Sequence, residues 1–104
     1  MHCIDTDREG YLKDLSDWSA DVAVQLAESE SLTLTDNHWE VIHLIRDFYM
    51  KYKISPTMRV LVRQVRDKLG VEKGRSFHLL TLFPDNPLKR LSKIAGLPKP
   101  PNCD

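Results

Sequence analysis

Only two of the 104 residues are cysteine, Cys3 and Cys103, one near each end. That is too few for a disulfide scaffold, and in a reducing compartment no structural bridge between them is expected. Apolar runs are short, as in Leu79-Leu80, and none could form a membrane-spanning helix. The start, Met1-His2-Cys3-Ile4-Asp5, turns acidic at once and lacks the apolar stretch of a secretory signal, so the cytoplasm is the expected compartment. Glycine is scarce, with four residues, and none builds a phosphate-binding loop. Paired catalytic carboxylates and a Ser-His-Asp pattern are also missing. No Cys or His pair stands at ligand spacing. His38 and His43 are five apart rather than i, i+4, so the histidines read as surface or boundary residues. No metal or other cofactor is expected.

What is present is an ordinary globular mixture, 41% hydrophobic and 29% charged, in a length that fits one domain. The net charge of zero conceals a division: residues 1–50 carry −8 and residues 51–104 carry +8. Two readings fit this division. The C-terminal half could offer a basic surface to an acidic protein or nucleic acid, or the halves could neutralise each other across the fold.

The pattern predicts an α+β fold that is mostly helical: an orthogonal bundle of about five helices with a small N-terminal β-hairpin or meander. The β element is expected around Ile4 and the turn Asp7-Arg8-Glu9-Gly10-Tyr11-Leu12. Ser19 reads as the N-cap of a helix over 20–29, with Ala20, Ala23, Val24 and Ala27 at helical spacing. A longer helix is expected over 36–53, capped by Thr35 or Asp36, with Val41, Ile42, Ile45, Phe48, Tyr49 and Tyr52 as its apolar stripe. Ser55-Pro56 reads as a cap and first-turn proline opening a third helix that Gly70 ends. Its polar side carries Arg59, Arg63 and Arg66 as a basic ridge. Residues 75–83 predict a short helix carrying Phe77, Leu80 and Phe83. Asn86-Pro87 then opens a last amphipathic helix with Leu88, Leu91, Ile94 and Ala95, closed by Gly96.

After Gly96 the chain reads Leu97-Pro98-Lys99-Pro100-Pro101-Asn102-Cys103-Asp104. Three prolines in four positions forbid a helix and favour an extended arm, with a reach of about 20 Å at about 3.1 Å per residue. The expected organisation is therefore one domain over 1–96 and a mobile arm over 97–104. A stiff arm suits a thiol that enters another protein's active site, because little entropy is lost on docking. An incidental thiol on a frayed end is the plainer reading. Lys99 is the only cation in this tail, while Asp104 and the terminal carboxylate oppose ionisation of Cys103. A basic pocket, in this chain or in a partner, would have to activate it.

Lys93-Ile94-Ala95-Gly96-Leu97-Pro98-Lys99-Pro100, followed by a penultimate cysteine, resembles the tail of the DsrC/TusE family. The likeness extends through Glu9-Gly10-Tyr11-Leu12, His38-Trp39-Glu40-Val41, Arg46-Asp47-Phe48-Tyr49, Ser55-Pro56, Arg59, Leu61-Val62 and Leu82-Phe83-Pro84. The DsrC branch carries a second tail cysteine eleven positions before the penultimate one. Here that position is Ser92, and the single-cysteine pattern is similar to the TusE branch. The resemblance implies a sulfurtransferase in which Cys103 takes sulfur as a persulfide from a TusBCD-type donor. It would pass the sulfur to an MnmA-type thiouridylase that modifies the tRNA wobble uridine. Gly96, Leu97, Pro98, Lys99 and Pro100 are the expected tail and docking residues, with Arg59, Arg63 and Arg66 as anion or partner contacts. Cys3 lies outside the family motif. Two alternatives stand beside this reading. One is a DsrC-like protein associated with sulfite reductase or regulation. The other is a helix-turn-helix-like nucleic-acid-binding module built on residues 36–69.

Overall fold

A computed structural model describes residues 5–100 of the chain. It contains a 3₁₀ turn, Leu15–Asp17, and five α-helices: α1 Ala20–Ser29, α2 Asp36–Tyr52, α3 Met58–Leu69, α4 Ser76–Leu82 and α5 Pro87–Ile94. α5 is the element the others share, packing against α1, α2 and α4, while α3 packs on α2.

The expected β-hairpin or meander is not there, and the fold is helical rather than α+β. Among the described residues there is no strand, only one antiparallel bridge between Thr6 and Leu12. The physical reason is length. Asp7 accepts from the Glu9 and Tyr11 amides through its side chain, closing a tight turn at Gly10. Asp14 then caps the 3₁₀ turn and bends the chain away, so the two arms are too short to extend a ladder. Ile4 lies outside the described residues.

The cap signals place most helix ends. The Ser19 side chain accepts from the Val22 amide, and Asn86 does the same for Lys89 with Pro87 in the first turn. α2 stops at Lys53, which adopts a left-handed backbone. α3 differs from the expectation: Thr57, not Ser55, is its cap, accepting from the Val60 amide at 3.2 Å. Pro56 disfavours helical backbone at Ser55 and sits just ahead of the cap.

The inner faces follow helical period, with two adjustments. In α1 it is Val22, Ala23, Leu26 and Ala27 that enter the core, whereas Ala20 and Val24 face outward. In α4, Leu79 and Leu82 are buried with Phe83 behind them, while Phe77 is 78% exposed and Leu80 44%. α2 buries Val41, Ile42, Leu44 and Ile45, and its stripe emerges toward solvent at Tyr52.

His38 links two helix ends. Its Nδ1 accepts from the Thr35 amide at 3.1 Å, and its Nε2 lies 2.8 Å from the Leu82 carbonyl oxygen. The start of α2 is thereby tied to the end of α4 across the core. Gly74 ties α4 to α3: a Cβ there would collide with the Arg66 backbone and Cβ, so only glycine lets this loop lie so close to α3.

Candidate functional site

The arm begins where α5 ends, and that end is fully accounted for in hydrogen bonds. Gly96, at φ +74°, closes a Schellman turn. Its amide donates to the Lys93 carbonyl at 3.1 Å, and the Leu97 amide donates to the Ser92 carbonyl at 2.9 Å. The Ala95 amide reaches Leu91 at 2.9 Å. Two carbonyls remain, and distant side chains take both. Trp18 Nε1 donates to Ile94 O at 2.9 Å, and Arg46 Nη1 donates to Ala95 O at 2.6 Å. The Arg46 guanidinium also lies over the Trp18 ring, 3.9 Å from its centroid. Burial pushes the Arg46 pKa down from its ordinary value, with neighbouring Asp47 opposing the shift.

Of the expected tail and docking residues, Gly96, Leu97 and Pro100 are buried, whereas Pro98 and Lys99 are exposed. Leu97 belongs to the hydrophobic core itself. Gly96 packs so tightly on Trp18 that a Cβ would stand 2.5 Å from its Cδ1. Lys99 Nζ meets Glu9 Oε1 at 3.1 Å, so the only cation of the tail is engaged with the N-terminal turn. Lys93 supports the same region, pairing with Glu30 at 3.3 Å and lying near the Tyr11 ring. Ser92 is fully buried, and its hydroxyl has no hydrogen-bond partner among the described residues. Cys103 and Cys3 lie outside the described residues.

Arg59, Arg63 and Arg66 are exposed on one face of α3 and are not part of this arm base. They line an open groove of about 640 Å³ with Met58, Val60, Val62 and Ser76. The charge division is settled along the same line. Lys73–Glu40, Lys93–Glu30 and Lys99–Glu9 join the basic half to the acidic half. No such pair holds the three arginines of α3 among the described residues. Neutralisation across the fold and a free basic surface therefore coexist.

Sequence reasoning did not select Trp18 or Arg46 as site residues. Their contacts to α5 span 76 and 49 residues, and neither lies at a helical or motif spacing from the tail. The presence of a Trp in a linker and an Arg on an otherwise apolar helix face was the only local hint.

Over residues 2–103 the chain matches the family described as DsrC like protein. The chain belongs to the DsrC-like family. It is 51% identical over 100 residues to Sulfurtransferase TusE of Escherichia coli K12, which spans 96% of this chain and 92% of that one. Among solved structures, DsrC of Allochromatium vinosum aligns with a TM-score of 0.89 at 46% identity, covering 97% of this chain and 90% of its own. The oxidized gamma-subunit of the dissimilatory sulfite reductase of Archaeoglobus fulgidus gives 0.85 at 33% identity, covering 97% and 92%. This DsrC-like chain is a sulfurtransferase of the TusE kind, and its function is that of a sulfur carrier. No helix among the described residues is long and apolar enough to cross a membrane.

Proposed function

We propose that Cys103 is the carrier atom of this sulfurtransferase, accepting sulfur from a TusBCD-type donor complex and delivering it to an MnmA-type thiouridylase holding tRNA in the cytoplasm. The observation that carries the reading is the arm base. Every terminal carbonyl of α5 is satisfied and Leu97 is sunk in the core, so the chain departs from a fixed point toward its penultimate cysteine.

The chemistry is thiol exchange on sulfane sulfur. The Cys103 thiolate attacks the outer sulfur of a donor persulfide. A new S–S bond forms on Cys103, the donor's S–S bond breaks, and the donor leaves as thiolate while the outer sulfur keeps its proton. The acceptor's thiolate then repeats the attack and regenerates the Cys103 thiolate. No net oxidation occurs in either step. Lys99 is paired with Glu9 and Asp104 opposes ionisation, so activation of the thiol falls to the partner that receives the arm. Ser92 in place of a second tail cysteine favours this single-thiol relay over the sulfite-reductase-associated alternative.

The test is mass spectrometry of Cys103 after incubation with a cysteine desulfurase and its relay proteins, joined to wobble-uridine analysis in cells lacking the gene. Added sulfur of one atom on Cys103 is expected, with thiolation restored by the wild type and not by Cys103→Ser. Sulfur uptake and rescue by Cys103→Ser would overturn the reading.

A further inference from the structure

Two neighbouring features depart from local economy without serving the fold. Arg59 stands in the first turn of α3, where the helix dipole disfavours a cation. Phe77, next to the groove-lining Ser76, leaves 78% of its surface in water, with Leu80 exposed one turn further along the same helix. Such violations concentrate where a surface meets something outside the chain.

They adjoin one groove. Arg59, Arg63 and Arg66 follow each other at i, i+4 and i+7, a stretch of about 10 Å along the α3 axis. Met58, Val60 and Val62 supply its apolar lining. The tight approach of Gly74 to Arg66 holds the start of α4 beside α3, so the aromatic edge and the arginine row keep a fixed relation. No carboxylate of the described chain pairs with any of the three guanidinium groups, unlike Lys73, Lys93 and Lys99.

We infer that this groove docks an acidic amphipathic helix of a partner protein, its carboxylates meeting the arginine row and its apolar side lying on Met58, Val62 and Phe77. Planar guanidinium groups bind carboxylates in paired hydrogen bonds, and aromatic and arginine side chains dominate the energetics of such interfaces. A polyanionic nucleic acid fits less well. The whole chain carries no net positive charge, its N-terminal half is strongly acidic, and the groove has an apolar rim. The groove is a surface separate from the arm base, and its occupancy does not depend on Cys103 carrying sulfur.

The probe is a synthetic helical peptide of about 15 residues with glutamates at i, i+4 and i+7 and leucines on the adjoining face. It is titrated into the isotope-labelled full chain under reducing conditions and followed by amide chemical shifts. Shifts confined to the neighbourhood of Arg59, Arg63, Arg66, Ser76 and Phe77 are expected. Arg63→Glu and, separately, Phe77→Ser should each weaken binding by about tenfold. Both side chains are exposed, and unchanged thermal unfolding of the variants confirms that the fold is intact. The inference is overturned by any of four results: no shifts at millimolar peptide, equal binding of a glutamine-substituted peptide, tighter occupation of these residues by tRNA, or self-association of the chain through this face.

Discussion

Arg46 and Trp18, brought together from α2 and from the segment before α1, hold as a stacked pair the carbonyls of Ala95, which caps α5, and of Ile94, its last residue. The guanidinium contributes a charge-assisted hydrogen bond and a ring contact at the same time. Arg46→Ala removes both and should cost about 2–5 kcal/mol, the sum of about 1.5–3 for the bond and about 0.5–2 for the stacking. Arg46→Lys keeps the charge without the plane and should lose about half of that. Urea unfolding measures both. Sulfur transfer should fall in Arg46→Ala at temperatures where the domain remains folded, because the arm then leaves from a loosened base.

Gly96 tests the steric half of the same arrangement. Its left-handed backbone and the nearness of Trp18 both oppose a Cβ. Gly96→Ala should destabilise by about 2–4 kcal/mol, combining backbone strain with overpacking. In a Trp18→Leu background the steric share disappears, leaving about 1 kcal/mol for the backbone. A double-mutant cycle with no coupling between the two positions would contradict the contact.

Ser92 presents a buried hydroxyl without a hydrogen-bond partner among the described residues. Ser92→Ala removes a polar group that gains nothing from burial, so stability should rise by about 1 kcal/mol. Sulfur transfer through Cys103 should be unaffected, since the hydroxyl has no part in it. A loss of transfer in a stably folded Ser92→Ala would assign the hydroxyl a role beyond packing.

His78 makes stability depend on pH. Burial, then the positive charge of Lys73, push its pKa below the ordinary histidine value; Glu40 opposes and His38 adds to the lowering. Unfolded, the imidazole takes its proton near pH 6.5. Folded, it refuses the proton until lower pH, so in that window the unfolded chain binds more protons. Stability is therefore highest above about pH 6.5 and falls as pH drops through the window. Thermal melts of His78→Gln should lose this slope, while the wild type keeps it.

The helices were legible in the sequence because their signals are local. Ser19, Asn86-Pro87, Gly70 and Gly96 announce ends within four residues of where they act. The hairpin was misread because a glycine turn between Ile4 and Leu12 does not reveal that Asp7 and Asp14 each spend their side chains on tight local turns. The helix carrying Phe77, Leu80 and Phe83 was legible but its buried face was not, because so short a helix offers too few periods to fix its rotation: Leu79, Leu82 and Phe83 turn inward and Phe77 outward. Trp18 and Arg46 escaped for a different reason: their meaning lies in carbonyls dozens of residues away, and hydrogen bonds to backbone leave no imprint on side-chain spacing. The tail motif was readable as a resemblance, whereas the engagement of Lys99 by Glu9 required coordinates.

The Trp18 contact also has a spectroscopic consequence. An indole that touches Gly96, donates to Ile94 and sits beneath a guanidinium is a built-in fluorophore at the root of the arm. The second indole, Trp39, stacks on His43 elsewhere on α2 and can be replaced by phenylalanine to leave a single emitter. Events that tug on the arm then become changes in emission, recorded without a label and in real time.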